Sequence, residues 1–287
     1  MSTPGRVLAC VDQSRFADAV TRHAVAAAHR LDAPLELLYV INLHPEIGSG
    51  EDHSGAIGID AQEHLLQRLT DADAVRAAQA REVGRVFLNR LREQASTAGV
   101  ARVDIRQRRG NLEETLIERQ HDVELVVLGR RGEAAERSHR ELGRNVERIV
   151  LALQRPILVV PERFFETRRF MVAFDGALGS RRVVETIAAS ALLRGIPCDL
   201  LMSGKPRVDA PQQMDWARSQ LEFAGFSVQT TIAPGDPETM VHRQVVKREI
   251  DLLVMGAYAH SPLRRLLMGS RTEDLLRSAT VPVLLLR

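Results

Sequence analysis

Two stretches of the 287-residue sequence have the residue types and spacing of an anion-binding turn. In the second half, Gly256-Ala-Tyr-Ala259 is followed, nine residues later, by Gly269-Ser270 and then by Arg271 and Thr272. Gly256 ends an apolar run and lets the backbone turn away tightly. Gly269-Ser270 opens a helical stretch. Free N–H groups at a helix start, the helix dipole and a serine hydroxyl together favour a phosphate. An ordinary helix cap is the other reading of the same residues. The first half carries a related frame: Gly129, two residues, Gly132, ten residues, Gly143, then Arg144 and Asn145. Its loop is one residue longer, and arginine stands where the hydroxyl would be. Arg144 could meet a phosphate or fill the space meant for one.

Asp12 and Asp175 close apolar runs that each lead into a helical stretch. In a doubly wound sheet, ligands bind at the carboxyl ends of the strands, where strand order reverses. A carboxylate there can accept from a sugar hydroxyl, or it can cap a helix. The two readings are balanced on this feature alone.

Other chemistries lack their residues. A P-loop needs Gly-Lys-Ser/Thr, but Lys205 precedes Pro206 and Lys247 precedes Arg248. There is no Gly-x-Ser-x-Gly elbow and no His-Glu-x-x-His helix. His44, Glu46, Asp52, His53 and His64 match no ligand spacing, so no metal is expected there. Without a metal-binding carboxylate pair or a base, a nucleotide site would bind and at most hydrolyse slowly. His260, Arg264 and Arg265 fall in the loop over the second anion turn.

The elements that must position these residues recur. Arg6–Asp12 aligns with Arg169–Asp175 at an offset of 163, and Val123–Gly129 with Ile250–Gly256 at 127. Leu142-Gly143 and Pro156–Val160 align with Met268-Gly269 and Pro282–Leu286 at 126. The chain is therefore a duplication, with roughly 37 extra residues between the first and third strands of its first half. Strands are expected near Val7–Val11, Leu35–Ile41, Val103–Gln107, Leu125–Leu128 and Ile157–Val160. In the second half they fall near Phe170–Phe174, Asp199–Met202, Ser227–Ile232, Leu252–Met255 and Val283–Leu286. Phe16, Val20, Ala24, Ala27 and Leu31 recur at helical spacing, as do Val83, Phe87 and Leu91 in a long helix stopped by Gly99. Second-half helices are carried by Val184, Ile187 and Ala191, then by Trp216–Ala224, Pro237–Lys247 and Arg271–Ser278. Wholly apolar strands joined by helices imply parallel sheets covered on both faces. Pro161–Arg168, charged and aperiodic, is the linker between domains at 1–161 and 169–287.

Composition narrows the class of partner. Hydrophobic residues make up 45% and charged residues 26%, ordinary for a folded chain. Net charge is +2, and the arginines are interleaved with acids, which argues against a nucleic-acid surface. The longest stretch without Asp, Glu, Lys or Arg is Phe223–Gly235, too short for a bilayer span. Met1–Arg6 runs straight into a strand, without the pattern of a signal peptide. Cys10 and Cys198 lie in apolar runs of different halves and read as buried thiols of a reducing compartment, hence a cytoplasmic location.

With these motifs in place, the chain resembles the universal stress protein family in its tandem, two-domain form. The family's signature is Gly, two residues, Gly, nine residues, Gly, then Ser or Thr; only Ala259 departs from it in the second half. The first half keeps three glycines but not the spacing or the hydroxyl. The resemblance implies an α/β fold of two tandem doubly wound parallel five-stranded sheets, adenine nucleotide α-hydrolase-like, with strand order 3-2-1-4-5. It also implies that the fifth strands meet in an intramolecular pseudo-dimer; the alternative is that linker or helix covers each edge. A homodimer is compatible with the same sequence. Carried over residue by residue, the resemblance nominates Asp175, Met202, Gly256, Ala259, Gly269, Ser270, Arg271 and Thr272 around ATP. In repeat 1 it nominates Asp12, Val40, Gly129, Gly132, Gly143 and Asn145. It implies a non-enzymatic ATP binder of the stress response, repeat 2 being the better site. The competing reading is an interaction scaffold of the same fold that has lost the nucleotide.

Overall fold

The five strands of repeat 1 are β1 (Arg6–Cys10), β2 (Leu35–Ile41), β3 (Val103–Arg109), β4 (Val123–Gly129) and β5 (Ile157–Val160). Four of the five β1 residues are buried, so successive side chains must be covered on both sheet faces. Val7 and Ala9 join one core layer, Leu8 and Cys10 the other. Repeat 2 supplies β6 (Phe170–Phe174), β7 (Cys198–Gly204), β8 (Val228–Pro234), β9 (Leu252–Gly256) and β10 (Val283–Leu286). The computed structural model describes residues 5–41, 59–133, 142–205, 207–257 and 270–287.

The strands form one ten-stranded sheet, ordered β3-β2-β1-β4-β5-β10-β9-β6-β7-β8. Each half is parallel with order 3-2-1-4-5, and β5 pairs antiparallel with β10. Val283 lies opposite Val159, Leu284 opposite Leu158 and Leu285 opposite Ile157, all buried. The alternative of two separately covered edges is thereby removed.

One face carries α1 (Ala17–Leu31), α2 (Ile59–Thr97), α5 (Leu178–Ala189) and α6 (Ala210–Phe223). The other carries α3 (Leu112–Arg119), α4 (Arg144–Ala152), α7 (Pro237–Lys247) and α8 (Ser270–Ser278). Neither α3 nor α4 is implied by the periodicities singled out in the sequence. The first announces itself by its cap, Asn111, whose Oδ1 accepts the Glu113 N–H at 2.8 Å.

Three details of the helical reading need correction. Val83 is 51% exposed, and the stripe of α2 that meets the core is Gly84, Leu88, Leu91 and Ala95. Ala191 lies beyond the end of α5, and Leu193 takes the buried place. Helix α6 starts at Ala210, six residues before Trp216, with Pro in its first turn, where a missing N–H costs nothing. The extra residues of repeat 1 lie between its second and third strands and include the N-terminal part of the 39-residue α2; its C-terminal part, which ends before Gly99, corresponds to α6, which ends before Gly225. The His44–Asp60 loop, and the reading of its histidines and acids as unmetallated, fall outside the described residues but for the first turn of α2.

The linker is pinned to α1. The Phe164 ring lies 4.7 Å from that of His23, and Arg22 stacks over it at 4.2 Å. The Phe165 N–H donates to His23 Nε2 at 3.4 Å.

Candidate functional site

Strands β1 and β4 lie side by side, and the loops that leave them meet at their carboxyl ends. Asp12 is not the helix cap: α1 has Phe16 there, without a side-chain cap bond. Instead Asp12 Oδ1 accepts the Ser14 N–H at 3.1 Å, an Asx turn. Its Oδ2 accepts the Glu133 N–H at 2.9 Å, drawing the loop after β4 down onto the carboxylate. Two glycines make that approach possible. A Cβ on Gly132 would come within 2.5 Å of Asp12 Oδ2, and one on Gly129 within 2.8 Å of Phe16 Cβ.

Gly143 joins the same cluster by donating its N–H to the Arg130 carbonyl at 3.0 Å. It caps α4 with φ −73° and no side-chain bond. A Cβ on it would meet the protein no closer than 3.5 Å, so neither strain nor crowding calls for glycine at this position. Asn145 is exposed in the first turn of α4, and Val40 is half-buried on β2. Asp12, Gly129, Gly132 and Gly143 are therefore brought together, with Val40 and Asn145 at the margins.

Repeat 2 differs at the equivalent place. The β6–β9 ladder pairs Phe170 with Leu252, Met171 with Leu253 and Val172 with Val254. The β1–β4 ladder runs on to Cys10 and Leu128, whose counterparts are Ala173 and Met255. The strands of repeat 2 thus part earlier at their carboxyl ends. Asp175 is exposed there, its Oδ1 accepting the Ala177 N–H at 2.9 Å and the Ser180 hydroxyl at 2.6 Å. Gly176, at φ +75°, makes the turn that glycine alone adopts freely. Met202 is buried on β7 beside this end of the sheet, and Gly256 closes β9.

Sequence reasoning missed the groups around Asp175. Arg207 donates from Nη1 to the Asp175 carbonyl at 2.8 Å and pairs with Asp209 at 2.7 Å. Arg181 donates to Gln213 Oε1 at 2.5 Å and lies over the Trp216 ring at 4.8 Å. The only signal for Ser180 was its place one turn into the helix after Asp175. Arg207 had none, because a turn after β7 brings it back over β6. Ala259 and Gly269 lie outside the described residues, as do the side chains of Ser270, Arg271 and Thr272, although the latter three begin α8.

Neither cysteine is a nucleophile at neutral pH. Burial, with Asp12 and Glu36 nearby, pushes the Cys10 thiol up to about 12, and burial raises Cys198 as well. Among the described residues no group of three or more His, Cys, Asp or Glu is arranged to hold a metal, and no helix is long and apolar enough to cross a membrane.

Comparison with known proteins agrees with this architecture. The model of the universal stress protein family matches residues 4–161 and again 166–287. Universal stress protein Slr1230 of Synechocystis sp. is 31% identical over 284 residues, covering 98% of this chain and 99% of its own. The structure of a universal stress protein from Archaeoglobus fulgidus DSM 4304 superposes with a TM-score of 0.71 at 16% identity, over 99% of this chain and 97% of that one. A putative universal stress protein of Pseudomonas aeruginosa gives 0.64 at 16% identity, over 99% and 93%. Two whole-domain matches in tandem and a full-length relative leave one assignment: the chain belongs to the universal stress protein family.

Proposed function

We propose that this protein is a cytoplasmic, non-enzymatic binder of adenine nucleotide acting in the stress response, with ATP held in the repeat 2 crevice in preference to that of repeat 1. The observation that carries the preference is the contrast between the two aspartates. Asp12 spends Oδ2 on the Glu133 N–H, and Gly132 is packed against it. Asp175 stands exposed at an end of the sheet that opens earlier. The signature spacing and Ser270 of repeat 2 point the same way. At Gly143, a glycine that the fold itself does not demand fits a frame inherited from an ancestral phosphate turn.

In this reading the two domains are 1–161 and 169–287, and the nucleotide is retained rather than turned over. Two buried, unreactive thiols fit a reducing compartment. Neither nucleic acid nor membrane is a partner. A homodimer, if formed, uses a surface other than the fifth strands, which are already paired within the chain.

Titration calorimetry with ATP tests the reading on the wild type and three variants. Ser270→Asp sets a negative charge beside the phosphates and removes a donor; a charge-assisted hydrogen bond contributes roughly 1.5–3 kcal/mol. Affinity should fall at least tenfold, since 1.4 kcal/mol is one decade. Arg144→Ser restores a hydroxyl to repeat 1 and should recover affinity there if the extra loop residue has not displaced the glycines. Wild-type binding in Ser270→Asp together with loss in Asp12→Ala would move the site to repeat 1.

A further inference from the structure

We propose that repeat 1 carries a second anion site, a groove for a small multivalent phosphate compound, at the end of its sheet opposite the nucleotide crevice. The starting point is a device that both repeats share. Arg6 and Arg169 are equivalent, and so are Glu36 and Asp199, at the same offset of 163. Arg6 Nη1 lies 2.5 Å from Glu36 Oε2, and Arg169 Nη1 lies 3.3 Å from Asp199 Oδ2. Both carboxylates are buried, and each needs a cation to be kept there.

Repeat 1 goes beyond that need. Glu36 also receives Arg106 Nε at 3.1 Å and both amino groups of Arg119, Nη2 at 2.8 Å. In repeat 2, the second cation on Asp199 is Arg248, at 3.8 Å. Strand register locates the difference. Leu35 pairs with Val103 and Cys198 with Val228, so Arg102, Asp104 and Arg106 stand where repeat 2 has Ser227, Gln229 and Thr231. Arg92, near the end of α2, corresponds to Arg218 on α6, which pairs there with Glu222 at 2.7 Å.

These residues line a groove of about 540 Å³ with Arg6, Glu36, Arg92, Arg102, Asp104 and Arg106 on its walls. Counting Arg119 and Asp122, which touch the same network, five guanidiniums face three carboxylates. Two positive charges remain unbalanced. Arg106 meets Glu36 through Nε, and Arg102 meets Asp104 through Nε at 3.2 Å. Their side chains are 46% and 72% exposed, and both line the groove. A planar fork with two spare donors matches a phosphate oxyanion bidentately. The volume of the groove exceeds that of a single phosphoryl group, and the surplus charge matches a dianion.

The test uses inorganic pyrophosphate as probe on the full chain, titrated at low salt. Arg92→Gln/Arg102→Gln removes two cations that do not touch Glu36, so the buried network stays intact. The expected result is the loss of one pyrophosphate site, or at least a tenfold drop in its affinity, with an unchanged unfolding midpoint. Asp104→Asn, which adds net positive charge without removing a donor, should tighten the same site. Ser270→Asp should leave it unchanged, because it stands independently of the crevice. Equal stoichiometry and affinity in wild type and double variant overturn the proposal, as does a wild type that binds no pyrophosphate outside the crevices.

Discussion

The guanidinium of Arg130 donates to the carbonyl of Ala279, 149 residues further along the chain. Arg130 sits inside the Gly129–Gly132 turn of repeat 1, and Ala279 directly follows α8, the helix that begins at Ser270. The contact has a reciprocal: Arg287 donates to the carbonyls of Val150 and Leu151 at the end of α4, whose cap is Gly143. Each repeat thus places a cation at the C-terminus of the other's last helix, where the dipole favours it. The N-terminal end of each helix, proposed above as the phosphate end, is thus the far end of an element held by its neighbour.

Arg130→Met should therefore weaken the junction without disturbing the turn, since the Arg130 backbone bonds to Val160 and Gly143 do not involve its side chain. A hydrogen bond from a charged donor contributes roughly 1.5–3 kcal/mol, and partial exposure places this one at about 1–2. Thermal unfolding should come a few degrees lower, about 2–4 °C per kcal/mol at this size. A melting point equal to the wild type's would show that the contact is incidental.

The sheet junction should be far less tolerant. Leu284 faces Leu158 across the antiparallel pair and is 1% exposed. Leu284→Lys loses the transfer energy of a buried leucine, about 2 kcal/mol, and desolvates an ammonium with no partner. A loss above about 4 kcal/mol is expected in urea unfolding, with exposed surface and separation or aggregation of the halves. Separately expressed halves that stay monomeric and never associate would argue that the pairing contributes little.

The architecture was legible because duplication repeats its landmarks: Asp12 and Asp175, or Pro156–Val160 and Pro282–Leu286, align without a structure. Four of the ten strands match in both bounds, Leu35–Ile41, Ile157–Val160, Phe170–Phe174 and Val283–Leu286. Helix faces were less legible. Val83 has the spacing of a core residue, but Gly84 is the one pressed against Tyr39 and Gln107. The site was legible as a glycine frame but not as a set of contacts. Nothing in the spacing of Asp12 says whether its carboxylate caps α1 or accepts from Glu133, 121 residues away. Likewise Arg207 reaches Asp175 only because β7 runs parallel beside β6 and the chain turns back at its end.

Removing the carboxylate of Glu36 should be costly, because Arg6, Arg106 and Arg119 converge on it. Burial raises its pKa, but hydrogen bonds from Arg119 and Arg6 outweigh that and hold the group below the usual carboxylate range. Glu36→Gln leaves guanidiniums around a neutral amide, and a broken buried pair costs about 3–5 kcal/mol. Partial exposure of Arg106 sets the expectation near the lower figure. Because the folded pKa is depressed, this stability is complete above the unfolded value of about 4.3 and is lost as pH falls through the folded one. Chemical unfolding of the variant at pH 7 measures it; a loss under about 1 kcal/mol would mean that the arginines re-pair elsewhere.

Between pH 6.5 and 4 a different group governs stability. His23 is buried under the linker, and burial lowers its pKa from 6.5 to about 4; the nearby Arg22 acts in the same direction and the Arg163 backbone against it. In the fold its Nε2 accepts from Phe165, so the neutral ring is the one that fits. The unfolded chain takes up the proton first, so stability is complete above pH 6.5, declines as pH falls, and levels off below about 4. At 1.36 kcal/mol per pKa unit, that loss approaches about 3 kcal/mol. Glu36 adds little above about pH 5, since its loss begins only near its unfolded value of about 4.3. His23→Gln keeps an acceptor for the Phe165 N–H but cannot titrate. Urea unfolding at pH 7.0, 5.5 and 4.5 should show the wild type losing stability stepwise while the variant holds nearly level. Parallel slopes for the two proteins would mean that the linker lifts off His23 without cost, and that its burial does not restrain the junction in solution.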